Sequence, residues 1–212
     1  MEFDKDLTAR QEARELARRA ETAQRKLAEL SQSQLDAIVE AVAKAFAAQA
    51  SALAEMAVQE TGFGNAEDKT AKNLFASQRV AEAVRGMKTV GILREVPEKK
   101  LWEIGVPVGV IAAIIPSTNP TSTVCYKAMI ALKSGNAIVF SPHPKAIACT
   151  RKAAQIVSEA AQAAGAAMMI LAPGNFARAS VYAYDSMSRE IVKRLLRITL
   201  YTGCLLYTSP SP

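Results

Sequence analysis

The most constraining feature of this chain is the stretch from Pro107 to Pro144, PVGVIAAIIPSTNPTSTVCYKAMIALKSGNAIVFSPHP. Val108 to Ile115 is a nearly unbroken apolar run with β-branched residues, ended by Pro116, and it reads as a strand covered on both faces. Thr121 to Lys133 carries Val124, Ala128, Ile130, Ala131 and Leu132, with Gly135 just beyond, and predicts a helix with a glycine stop. Ala137 to Phe140 is a second apolar run closed by a proline. Strand, helix and strand in about three dozen residues make a βαβ unit, which needs roughly 30 or more. The fold class is therefore α/β.

The two loops of this unit carry its polar chemistry. Ligands of parallel sheets bind outside the carboxyl ends of the strands. Pro116-Ser117-Thr118-Asn119-Pro120 ends the first strand, and Ser141-Pro142-His143-Pro144 ends the second. Proline fixes φ and removes N–H groups, so the hydroxyls, amide and imidazole of these loops are held in place. The first loop also opens a helix, whose N–H groups suit a phosphate. The alternative is a pair of ordinary βα turns.

Half of the 212 residues are hydrophobic, enough for one sizeable core. No apolar run reaches the ~18 residues that a membrane span needs. The opening MEFDKDLTARQEARELARR has no apolar signal core, so a cytoplasmic protein without a membrane partner is expected. Residues 1–174 hold 21 Lys and Arg against 18 Asp and Glu, and residues 175–212 hold 5 against 2, so half of the net charge of +6 lies after residue 174. The remaining charges mix both signs along helices, which describes solvated faces and not a nucleic-acid footprint. Cys125, Cys149 and Cys204 give neither a disulfide framework nor CxxC metal spacing, and His143 is the only histidine, so no metal site is expected. No phosphate-binding P-loop and no GxGxxG motif occurs.

Upstream, residues 7–30 predict a helix with Leu16, Ala20, Ala23, Leu27 and Leu30 on one face. That face fits packing on the domain, or a targeting or partner helix. Ser31 with Gln34 forms a capping box for a second helix, whose stripe is Leu35, Ile38, Val39, Val42 and Phe46. A third helix, near Ser51 to Thr61, stops at Gly62. Asn65 caps a fourth, with Asp68 at its third position and Leu74, Phe75 and Ala81 inward. Lys88–Val96 and Leu101–Pro107, separated by Pro97-Glu98-Lys99-Lys100, predict a β-hairpin. Lys145 to Ala164 is the last helix predicted, with Ile147, Ile156, Val157 and Ala160 inward.

The words PVGVIAAIIPSTNPTSTV and KAMIALKSGNAIVFSPHP, with ETGFG and EDKTAKNLFAS upstream, resemble the coenzyme A-acylating branch of the aldehyde dehydrogenase superfamily. The resemblance covers roughly residues 5 to 165. It implies the first part of a Rossmann-like nucleotide-binding domain of the aldehyde dehydrogenase type: a helical amino-terminal region, a β-hairpin that helps join subunits into a homo-oligomer, then the βαβ unit. It implies NAD, or NADP, as cofactor and coenzyme A as co-substrate. In that chemistry a cysteine thiolate attacks a short aldehyde, hydride passes to the nicotinamide, and the thioester is handed to coenzyme A. Attack creates an oxyanion, which needs preplaced donors. By resemblance Asn119 is the candidate donor, although Thr118 occupies the matching place in an ungapped comparison. The alternative for Asn119 is a cap for the following helix. Ile115, Pro116, Ser117 and Thr118 of the first loop, with Ser141, Pro142 and His143 of the second, are the implied cofactor-binding residues. Ordinary members of the superfamily have a lysine where this chain has Ser141, a departure that fits the acylating branch. His143 either touches the cofactor or serves the loop. Lys127 matches a helix lysine near the catalytic loop, or is a solvated helix lysine.

From residue 166 to 212 the expected pattern of a further strand, a glycine-containing loop, a glutamate base and the nucleophilic cysteine is missing, and the ending CLLYTSPSP resembles translated vector sequence. Cys204 lacks the surroundings a catalytic thiol needs. Residues 166–212 are thus expected to be a divergent tail, a frameshift or sequencing artefact, and the catalytic domain to be absent. The chain as given is expected to be an inactive amino-terminal fragment. The alternatives are a non-catalytic nucleotide-binding or assembly module, or a fragment of a non-acylating aldehyde dehydrogenase.

Overall fold

The computed structural model describes residues 5–166, 170–171 and 198–200. Four helices come first: α1 (Lys5–Leu27), α2 (Gln32–Ala48), α3 (Ala50–Thr61) and α4 (Ala66–Leu74), followed by a π-helical turn, Phe75–Arg79, and the short α5 (Val80–Val84). The caps read from the sequence are present. Ser31 and Gln34 satisfy each other's backbone N–H groups in a capping box, and the Asn65 side chain accepts from the Asp68 N–H. One expectation fails. Phe75 is 64% exposed, not inward. The π turn inserts extra residues into the helical period and rotates the face, so that Ala76 and Ser77 are buried in its place. The Ser77 hydroxyl donates to Asn73 O at 2.8 Å within this turn.

The hairpin is β1 (Gly91–Val96) and β2 (Leu101–Gly105), antiparallel, joined by a single 3₁₀ turn at Pro97–Lys99. Lys100 takes the left-handed φ of 49° that closes the turn. Both faces of the hairpin are open: Trp102 is 65% exposed on one and Leu101 45% on the other.

The βαβ unit then follows as β3 (Val110–Ile115), α6 (Pro120–Lys133) and β4 (Ala137–Pro142), with the two strands parallel from Val110↔Ala137 to Ile115↔Pro142. β4 runs two residues beyond the apolar stretch, because Ser141 and Pro142 still pair with Ile114 and Ile115. All six residues of β4 are buried, as a strand covered on both faces requires. α1 lies across β3 and β4, while α6 packs on the same two strands, α7 (Ile147–Ala163) packs on β4, and α2 packs on α6 and α7. The apolar stripe of α1 is thus a core face: Leu16, Ala20 and Leu27 join the same buried cluster as Phe46, Met129 and Phe140.

α6 ends in a Schellman motif. The Asn136 N–H donates to Ala131 O and the Gly135 N–H to Leu132 O, both at 2.9 Å, with Gly135 at φ 69°. Two short parallel strands complete the sheet in the order β5-β4-β3-β6: β5 (Ile170–Leu171) on β4 and β6 (Ile198–Leu200) on β3. β5 is a further strand that the sequence reading did not find, because one short apolar run, AAMMILA, does not by itself distinguish strand from helix. Apart from Ala166, β5 and β6, the proposed tail lies outside the described residues. No single described helix is long and apolar enough to cross a membrane.

Candidate functional site

The parallel register brings the two polar loops to one edge. Ile114 lies opposite Ser141 and Ile115 opposite Pro142, and the His143 N–H donates to Ile115 O at 3.0 Å, tying the second loop to the end of β3. Of the residues singled out in sequence, Ile115, Ser141 and Pro142 are buried, Pro116, Ser117 and Asn119 are half-buried, and Thr118 and His143 are exposed. His143 has a local role in its loop: Nδ1 accepts from the Lys145 N–H at 3.1 Å, and its carbonyl accepts from the Ala146 N–H at 2.9 Å.

Asn119 stands at the amino end of α6, but its side chain does not cap the helix. Its carbonyl accepts the first bond of the helix, from the Thr123 N–H at 3.2 Å, and also the Thr123 hydroxyl at 2.6 Å. The capping alternative for the Asn119 amide is therefore overturned. Its Oδ1 instead accepts from Lys72 Nζ at 3.3 Å. Asn119 also lines a cleft of about 430 Å³, with Lys72, Phe75, Thr118, Thr123 and Tyr126 among its walls. The cleft lies between α6 and the α4–π-turn segment, and the rotated Phe75 contributes to it.

Three polar residues of α4 meet the first loop and the start of α6, and sequence reasoning assigned them no role. Lys69 is 5% exposed and donates to Thr118 O at 2.6 Å. Lys72 reaches Asn119. Asn73 Oδ1 accepts from the Thr121 hydroxyl at 2.8 Å, while its Nδ2 donates to Ala50 O at 2.8 Å. Burial, and then the like charge of Lys72, lower the Lys69 ammonium from its ordinary range. The available signal was the spacing: positions 69, 72 and 73 lie on one helix face.

Lys127 is wholly buried, not solvated. It donates to Ile114 O at 2.8 Å, near the end of β3, and burial lowers it to about 8. At the neighbouring loop, the start of α7 is occupied by Glu60, whose two oxygens accept from the Ala148 and Cys149 N–H groups at 2.7 Å each. Burial acts to raise this carboxyl, but the donors at Cys149, Ala148 and Ile147 together outweigh it and hold the group below its ordinary range. The described thiols are not nucleophiles. Burial pushes Cys125 strongly up, and burial, then Glu60, push Cys149 up to about 12, so both stay protonated at neutral pH. Cys204 lies outside the described residues. Among the described residues no group of three His, Cys, Asp or Glu side chains is placed to hold a metal ion.

The family model described as "Aldehyde dehydrogenase family" matches residues 5–185, extending beyond the stretch of residues 5 to 165 that carries the sequence resemblance. The chain is 48% identical over 151 residues to the bifunctional aldehyde-alcohol dehydrogenase AdhE of Escherichia coli K12, a match covering 71% of this chain and 17% of that protein. The crystal structure of an acetylating aldehyde dehydrogenase from Geobacillus thermoglucosidasius superposes with a TM-score of 0.77 at 53% identity, covering 80% of this chain and 38% of that one. A propionaldehyde dehydrogenase from Rhodopseudomonas palustris, solved with bound propionyl-CoA, superposes with a TM-score of 0.69 at 26% identity, covering 89% and 40% of the two chains. The chain thus spans well under half the length of each of these relatives.

Proposed function

Because this chain belongs to the aldehyde dehydrogenase family, we propose that it supplies cofactor-binding loops and the oxyanion donor of an NAD-dependent, coenzyme A-acylating aldehyde dehydrogenase acting on a short, acetaldehyde-like substrate. The observation that carries this reading is the position of Asn119, in the loop at the carboxyl edge of β3 and on the wall of a cleft large enough for a small aldehyde. Of the two loop residues compared for that role, Asn119 offers an amide whose oxygen end is already engaged, leaving the Nδ2 donor for a developing oxyanion.

The residues present fit a dinucleotide in part. Ile115 and Pro142, both buried, pair at the strand ends with the half-buried Pro116 following Ile115, and Ser141 precedes Pro142 at the same edge. Those residues, with Ser117, Thr118 and His143, would hold the adenosine end of NAD or NADP, and the cofactor when bound accepts hydride. The start of α7 already has its anion in Glu60, so a cofactor phosphate is assigned elsewhere. Since Cys125 and Cys149 are buried, protonated thiols, the attacking cysteine is assigned to sequence outside the described residues. The acylating reading is supported by Ser141 where ordinary members have lysine, and by the acetylating and acyl-CoA-bound relatives.

A homo-oligomer belongs to the same proposal. A two-stranded hairpin is marginal by itself, and this one exposes Trp102, Ile104 and, just beyond it, Val106, which suits burial against a second subunit. A cytoplasmic location accords with this chemistry and remains part of the proposal.

The test is NADH formation from acetaldehyde by the full-length gene product, with and without coenzyme A. Formation that requires coenzyme A is expected. Equal rates without it overturn the acylating reading, and absence of both turnover and NAD binding overturns the dehydrogenase reading.

A further inference from the structure

We infer that α4 is a positioning element for the oxyanion donor: Lys72 selects the orientation of the Asn119 amide, while Lys69 and Asn73 fix the loop and the helix start on either side of it. The inference rests on the reading of Asn119 as that donor.

The three contacts form a continuous grip along the chain. Lys69 holds the carbonyl of Thr118, Lys72 holds the side chain of Asn119, and Asn73 holds the hydroxyl of Thr121. Pro120 lies between them and supplies no N–H, so the loop depends on side chains from elsewhere for these anchors. Two of the three holders are buried and are themselves fixed. Lys69 is 5% exposed, and Asn73, 1% exposed, is tied to Ala50 O.

Lys72 has a distinct part. An ammonium only donates, and an amide has one accepting end and one donating end. The 3.3 Å contact therefore sets Asn119 with Oδ1 toward Lys72, and no described residue accepts from its Nδ2. The reverse orientation would set two donors against each other. The charge on Lys72 also polarises the amide toward stronger donation from Nδ2. A neutral side chain at position 72 would leave both amide orientations open, and only one of them serves an oxyanion.

Two readouts test this. In the 212-residue chain, the three-bond Cα–Nδ2 couplings that report χ2, and the amide resonances of Asn119, assigned through their loss in Asn119→Ala, are compared in wild type, Lys72→Met and Lys72→Arg. A single rotamer is expected in wild type, averaging in Lys72→Met, and a single rotamer again in Lys72→Arg. Lys72 is exposed, so the fold withstands both changes. In the full-length enzyme, Lys72→Met is expected to lower kcat by about 10- to 100-fold with KM nearly unchanged, as for partial loss of an oxyanion donor, and Lys72→Arg to restore most of that loss. An Asn119 signal that is identical in wild type and Lys72→Met, or averaged in wild type, overturns the inference, as does a kcat that Lys72→Met leaves unchanged. The couplings need no turnover, so an enzyme without dehydrogenase activity would sink the functional reading while the contact is judged separately.

Discussion

Lys127 carries an ammonium into α6 with none of its surface exposed, held by the carbonyl of Ile114. Burial lowers it from 10.5 to about 8. Between those values the unfolded chain binds more protons than the folded one, so stability rises with pH across that window and the burial penalty is fully present below it. Lys127→Met is expected to abolish this rise, worth about 3 kcal/mol, which urea midpoints of the two proteins from pH 7 to 11 will show. Nothing in the sequence distinguished this lysine from a solvated one, because a lysine stem is long enough to reach water or a buried carbonyl from the same helical position. The same holds for Lys69. Asn119, in contrast, was legible as the amide of the loop, but the partner that orients it came from a helix 47 residues away in sequence.

Among the elements, those built on local rules were legible. The capping box at Ser31, the Asn65 cap and the glycine stop of α6 need only neighbours in sequence. Gly135 is required twice over: its φ is 69°, and an added Cβ would come within 3.0 Å of Pro107 Cγ. Gly135→Ala is expected to destabilise the protein by ~1–2 kcal/mol, measurable by chemical denaturation, with the loop at the other end of α6 unaffected. The start of α7 obeys a long-range rule instead. Its cap is Glu60 from α3, so Glu60→Gln is expected to cost ~1 kcal/mol at pH 7. The carboxyl is held low in the folded protein, so its contribution is present above the ordinary carboxylate range and fades as pH falls through the folded value. The difference between wild type and Glu60→Gln should therefore shrink toward pH 3. The π turn was hidden because the sequence between Leu74 and Val80 continues a helical composition, and only packing shows where the period breaks.

At the scale of the whole molecule, a parallel sheet with both faces covered holds two loops in register, while the β1–β2 hairpin stands open to solvent. If the hairpin joins subunits, replacing Trp102 and Ile104 together by Asp should weaken self-association by at least ~100-fold, read by sedimentation velocity. The melting of the monomer should hardly change, because both side chains are more than half exposed within one chain.

The sequence by itself determined the βαβ unit, its loop residues, most helix ends and the family. These follow from apolar periodicity, proline and glycine punctuation and local capping, all of which act over a few residues. Tertiary structure alone decided that Lys127 and Lys69 are buried, that Phe75 turns out toward the cleft, that Glu60 caps α7, and that Lys72 and not the helix end holds Asn119. Each of these depends on which surfaces meet once distant elements pack, and the burial of a charge or the direction of an amide is settled only by the groups it meets there.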